Sequence, residues 1–274
     1  MGTGPDRLAD PADNASWKGF GRTMNHLKKI VGLLICLAVT GLAPGCAKTQ
    51  TADTLIAGYL EARGGLERFE GIQALRFSGR ANAGPGREAR VIREMKPPGR
   101  IRTEFAFQGV TDVYACDGVK CWYVAPSSGV FAPEPMSAER ARLAIEQAAI
   151  GGPLVDWQAK GHTVELLGKE TVAGQDAFKL KVTLENGTER YDYLDAESLL
   201  LIRTESMREF RDRTIEVETT FGDYRAVGGV LFPHAITSGA KGKPHVLEVV
   251  VEKIELNPPL DDTRFTMPAL ANGR

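Results

Sequence analysis

The chain has 274 residues, 34 of them basic and 35 acidic, a net charge of −1 and an apolar fraction of 43%. A balance this near neutral excludes the clustered basic surface of a nucleic-acid binder, and that apolar fraction excludes a disordered chain. The length fits one large all-β domain or two small ones.

Residues 1–23 contain Gly, Asp and Pro without periodicity and read as a disordered extension or a misplaced start ahead of Met24. Residues 24–46 read as an export signal. They have a basic start (His26, Lys28, Lys29), an apolar core over 30–43, and then Pro44, Gly45 and Cys46. The core is shorter than the ~20 residues a membrane-spanning helix needs. Its end, Ala43-Pro44-Gly45-Cys46, resembles a bacterial lipobox, which makes Cys46 the expected lipid attachment site and first mature residue. The alternative is an ordinary cleaved signal cut after Ala47. Without residues 1–45 the net charge becomes −3. Residues 47–274 are expected to form a single domain.

Residues 51–63 predict a helix, capped by Thr51 or Asp53, with Ile56, Tyr59 and Leu60 as its apolar stripe. Gly64 and Gly65 break it, and 66–71 suggests one further turn. From Ile72 the apolar period becomes two. Strands are predicted over 74–83, 87–95 and 100–108, the last with Ile101, Thr103, Phe105 and Phe107 on one face. Asp117-Gly118 between β-rich flanks is a hairpin signal. A four-residue loop sets Cys116 and Cys121 opposite each other, and a two-residue turn sets them diagonally. Either brings them near disulfide range, and an exported compartment permits the bond. Two free thiols are the alternative.

The β pattern then stops, and residues 138–149 predict a helix with Ala138, Ala141, Ile145 and Ala148 on one side. A second short helical piece is expected over 154–160. Strands resume at Thr163 and continue over 178–184, 189–194, 199–208, 214–224, 230–237 and 246–256, with Asn186-Gly187 and Gly228-Gly229 as turns. Ten or eleven sequential strands with short turns predict an antiparallel meander curled into an unclosed half-barrel, with helices covering it.

Catalytic patterns are missing from the sequence. There is no H-E-x-x-H, no G-x-S-x-G, no phosphate loop and no EF-hand spacing, so no enzyme, metal or cofactor is expected. His162, His234 and His245 read as strand or loop residues. A curled sheet with an apolar inner face can enclose a cavity for acyl chains. Its candidate lining is Phe105, Phe107, Leu180, Val182, Ile215, Val217 and Phe221, each on an apolar strand face. The alternative is a filled core.

Several segments resemble one family. Lys96-Pro97-Pro98-Gly99-Arg100, followed by Cys116-Asp117-Gly118 and Trp122-Tyr123-Val124-Ala125-Pro126, resembles a stretch of LolA-like periplasmic lipoprotein carriers. Leu167 to Gly174, Tyr193 to Leu199, Phe221 to Pro233 and Arg264-Phe265-Thr266-Met267-Pro268 are similar to outer-membrane lipoprotein-sorting relatives. The resemblance spans most of 55–268. It implies an unclosed β-barrel with a helical lid over an apolar cavity for acyl chains, palmitate-like, or lipidated proteins. It also implies a monomer in the periplasm. A lipid on Cys46 would tether the chain to a membrane, with the outer membrane favoured because Ala47 is not the inner-membrane retention Asp; a soluble periplasmic carrier is the alternative. The runner-up function is an envelope stress sensor or protein-interaction module on the same fold.

Overall fold

The computed structural model describes residues 50–84, 86–210, 213–244 and 247–269. The signal segment, the expected lipid attachment at Cys46, and His245 lie outside the described residues. Among these residues no helix is long and apolar enough to cross a membrane.

Thr51 caps α1 (Ala52–Ala62), exchanging side-chain and backbone hydrogen bonds with Thr54 across the first turn. Leu55, Ile56 and Tyr59 are its buried face. Gly64 ends it at φ +113, where a Cβ would stand 2.1 Å from the Gly229 carbonyl oxygen. A side chain there would separate the helix from the strands beneath it. The short α2 (Leu66–Glu70) follows and buries Phe69.

Among the described residues, thirteen strands then form one antiparallel sheet. They are β1 (Leu75–Asn82), β2 (Glu88–Lys96), β3 (Arg100–Phe107), β4 (Val110–Asp117), β5 (Cys121–Ala125), β6 (Val130–Pro135), β7 (Thr163–Val172), β8 (Gln175–Thr183), β9 (Glu189–Asp195), β10 (Leu201–Phe210), β11 (Arg213–Val227), β12 (Val230–Ala240) and β13 (Leu247–Leu256). The spatial order is β6-β5-β4-β3-β2-β1-β13-β12-β11-β10-β9-β8-β7. Two meanders are therefore joined side by side, and the first strand of one pairs with the last strand of the other. At that seam the register shifts between Ser78 and Gly79. A Cβ on Gly79 would sit 2.0 Å from the Val250 carbonyl oxygen, so the seam needs glycine there. The sheet does not close: β6 and β7 are both edges.

β6 was not expected from the sequence, because Pro133 and Pro135 break the strand pattern. Its place at the sheet edge explains the tolerance, since an edge strand has one side that needs no ladder donors. The helical piece expected over 154–160 is instead a run of turns, interrupted by Asp156 at φ +52. The cysteine hairpin takes the four-residue loop: Cys116 lies directly opposite Cys121, and a disulfide joins them.

The connection from β6 to β7 has to travel from one free edge to the other. It carries α3 (Ala138–Gln147), capped by Ser137, and the turns over 148–162. The outer face has its own cover. Residues 257–269 lay Leu260 and Phe265 against Ala74, and the Trp122 indole N–H donates to the Phe265 carbonyl at 2.8 Å. Beneath this strap the buried Glu94 carboxylate receives Arg76 at 2.9 Å and Arg264 at 2.7 Å.

Candidate binding cavity

The inner face of the sheet is covered unevenly. At the β8–β9 end, α1 presses Leu55, Ile56 and Tyr59 onto Phe178, Leu180, Val182 and Leu194. This is a filled core. Leu180 and Val182 lie on the expected face, but α1 occupies the space in front of them and both have no exposure. They therefore build core rather than cavity wall.

Between α1, α3 and the middle strands the face is left open, and a cavity of about 250 Å³ remains. Its apolar wall is made by Phe77 and Met95 from the first meander and by Phe221, Phe232, Val251 and Ile254 from the second. Leu154 and the turn at Gly151 and Gly152 close it from above, with Glu146 and Gln147 of α3 at the rim. The volume is just under the ~300–1,000 Å³ usual for small-molecule sites, which suits a slender apolar group.

Of the expected lining residues, the structure brings Phe221 alone into this cavity. Phe105 lines a neighbouring groove with Ile101, Thr103 and Ala144, on the other side of the α3 end, and its ring meets Tyr114 edge-on at 6.3 Å. Phe107 is half-buried at the end of β3, beyond that groove. Ile215 and Val217 are half-buried on β11, with Ile215 paired across to Arg208. The expected set followed apolar residues along strands. The cavity instead follows the bend of the sheet, so it samples one or two positions from each of many strands.

The largest departure from the expectation is polar. Among the described residues, four guanidinium groups and two carboxyls line the cavity: Arg63, Arg93, Arg190, Arg208, Glu146 and Asp192. Arg63 leaves the end of α1 almost fully buried. Its Nε donates to the Leu231 carbonyl at 3.0 Å, and its Nη1 to the Tyr59 hydroxyl at 2.6 Å and the Gly151 carbonyl at 3.0 Å. Its plane rests 4.7 Å from the Phe69 ring centre. This arginine ties α1, the covering turn and β12 together.

Arg190 and Asp192 alternate inward along β9, and the Arg190 Nε donates to Asp192 Oδ1 at 2.6 Å. Asp192 Oδ2 has no hydrogen-bond partner among the described residues. Burial raises the Asp192 pKa above the usual carboxylate value, against the pull of Arg190. Arg208 on β10 reaches Glu146 of α3 at 3.5 Å, and burial lowers its pKa. Arg93 on β2 differs from the others. Its Nε donates to the Thr103 hydroxyl at 3.0 Å and its guanidinium lies over Phe77 at 5.4 Å, both cross-strand neighbours. No carboxylate pairs with it among the described residues. Burial alone brings its pKa down to about 10.

These arginines had a sequence signal. Val91, Arg93 and Met95 share one strand face, as do Arg190, Asp192 and Leu194, so each set places charge on an apolar face. The histidines stay structural: buried His234 contacts the Phe232 carbonyl, and His162 Nδ1 accepts from the Glu185 amide. No group of residues that could hold a metal occurs among the described residues.

α3 is held over the opening from both sides. It packs on β3, β4 and β5. At its other side, Glu146 accepts from Asn186 at 3.2 Å and Thr188 at 3.0 Å, and Arg142 donates to the Thr188 hydroxyl. The helix has no fully buried residue.

No family model matches this chain, and no curated protein is similar to it. Solved structures are. A LolA superfamily protein from Nitrosomonas europaea superposes with a TM-score of 0.53 at 16% identity, over 79% of this chain and 98% of that one. A DUF1329 family protein from Desulfovibrio piger superposes at 0.50 with 13% identity, over 77% and 97%. A putative outer-membrane lipoprotein-sorting protein domain from Vibrio parahaemolyticus superposes at 0.50 with 12% identity, over 78% and 96%. With its single unclosed sheet of two joined meanders, bridged by a helix over the inner cavity, the chain has the LolA-like fold.

Proposed function

We propose that the protein is a non-catalytic binding protein of the bacterial periplasm that holds an acyl chain in the cavity between α1 and α3, its own or that of a lipidated protein. The carrying observation is the unfilled stretch of the inner face, walled by Phe77, Met95, Phe221, Phe232, Val251 and Ile254. An apolar wall left facing a void loses its packing partners, and an acyl chain restores them. The export signal over 24–46 supports the location. The shared fold with a lipoprotein-sorting domain supports a role in handling lipoproteins. Cys46 as the lipidated first residue would make the protein a membrane-tethered acceptor rather than a free carrier.

The test is purification of the full chain from membranes, with mass spectrometry of the extracted lipid and of the mature N-terminus. Co-purified acyl lipid and a diacyl or triacyl Cys46 are the expected results. An empty protein that also rejects fluorescent fatty acids would overturn the cavity reading. A free Lys48 start would overturn the anchor and leave the cavity reading standing.

A further inference from the structure

Much of the cavity wall is apolar, yet among its described residues the guanidinium groups outnumber the carboxyls by two. Each charge has to be accounted for, because an unpaired ion in an apolar wall is costly. Arg63 spends its donors on two carbonyls and the Tyr59 hydroxyl. Arg190 is neutralised by Asp192, and Arg208 by Glu146. Arg93 is left over. Thr103 and Phe77 fix its orientation through Nε and the flat face of the guanidinium. Among the described residues, neither Nη group has a protein acceptor. It stands on β2, the wall facing β9 and β10 across the bend of the sheet, and it lines both the cavity and the groove beside the α3 end.

A rigid guanidinium with two free N–H edges matches an oxyanion, which can accept both. Its neighbours in the wall, Phe77 and Met95, match a hydrocarbon tail. We infer that Arg93 is an anion-binding subsite, and that the cavity takes a single-chain amphiphile with an acidic head, carboxylate or phosphate, its acid on Arg93 and its tail along the apolar wall. This deepens the proposed acyl-binding function and rests on it. The carboxyls of Asp192 and Glu146 are already engaged by Arg190 and Arg208, so they do not contest the acid at Arg93.

The test compares palmitate, hexadecyl phosphate and hexadecanol, which share a tail and differ in the head, by calorimetric titration of the full chain. Both acids are expected to bind about 10- to 100-fold tighter than the alcohol, the range for hydrogen bonds to charged groups. A preference for one acid alone names the head-group chemistry and supports the subsite. Arg93→Gln should bring the acid-to-alcohol ratio close to one. Arg90→Gln, which removes a charge from the exposed side of the same strand, should leave the ratio as it was. Equal binding of acids and alcohol by the unaltered chain overturns the subsite and spares the acyl-binding function; this readout needs no variant to fold. Retention of the ratio in a folded Arg93→Gln also overturns it. If none of the three binds, both readings fall.

Discussion

Two helices cover the inner face of this sheet, and they do so by different means. α1 packs Leu55, Ile56 and Tyr59 against the sheet as filled core, and only its end at Tyr59 and Arg63 reaches the cavity. α3 has no fully buried residue and is held at one side by Glu146 and Arg142 through hydrogen bonds to a hairpin and to β10. Under the first helix lies core, and beside the second lies a cavity with charge in its wall. Apolar burial at about 25 cal/mol per Å² secures a helix far more firmly than a few half-exposed polar contacts do. The fixed helix belongs to the scaffold, and α3, which adds only the partly buried Ala141 and Ala144 to its polar contacts, belongs to the opening.

The contrast is broken most directly by removing the same kind of volume from each half. Leu180→Ala empties a fully buried site under α1 and should cost about 2–5 kcal/mol of stability. Phe221→Ala removes a larger side chain, but one half-buried beside an existing void, and should cost about 1 kcal/mol. Binding should respond in the opposite order: palmitate affinity falls for Phe221→Ala and holds for Leu180→Ala in the fraction that remains folded. Denaturant unfolding with parallel titration measures both. Equal stability losses would mean that the two halves are packed alike.

The split between the halves also explains what could be read from the sequence. Most strands and their pairing within each meander were legible, because period-two patterning and turn dipeptides such as Asp117-Gly118 and Asn186-Gly187 act locally. The long-range pairing of β1 with β13, which sets β6 and β7 at opposite edges, was not. β6 was not, because tolerance of Pro133 and Pro135 depends on lying at the edge of the sheet. An inward position on a strand was legible at Leu180 and Val182, but whether a helix fills the space ahead of it was not. That depends on where α1 lands, which the Arg63–Leu231 contacts and Gly64 settle at long range. The charged wall was legible only in part: Arg93 and Asp192 each share a strand face with apolar residues, but which strands the bend of the sheet brings around one cavity was not.

A smaller effect tests whether α3 is held by polar contacts. Glu146→Gln keeps the shape but weakens the hold on Asn186, Thr188 and Arg208. It should cost about 1 kcal/mol. Amide hydrogen exchange should quicken along α3 and stay unchanged along α1, because sub-global opening follows the weakest attachments. Quickening in both helices would mean that they open as one unit, and the contrast drawn between them would fail.

The smallest effect is a pH dependence carried by Asp192. Burial raises its folded-state pKa above the unfolded carboxylate value, so between those two values the folded chain holds more protons than the unfolded one. Stability therefore falls as pH rises through that interval and levels off above the folded value. Asp192→Asn keeps the size of the side chain and removes the titration. It also leaves Arg190 without its partner, an offset that does not vary with pH in this range. The melting-temperature difference, native minus variant, should thus shrink on going from pH 4 upward and then become flat. A difference that grows with pH would mean that Arg190 outweighs burial and that the carboxylate is the favoured form. The cavity wall would then be better neutralised than the unpartnered Oδ2 indicates, and Arg93 would stand beside the carbonyl-bound Arg63 as a charge in it without a carboxylate among the described residues.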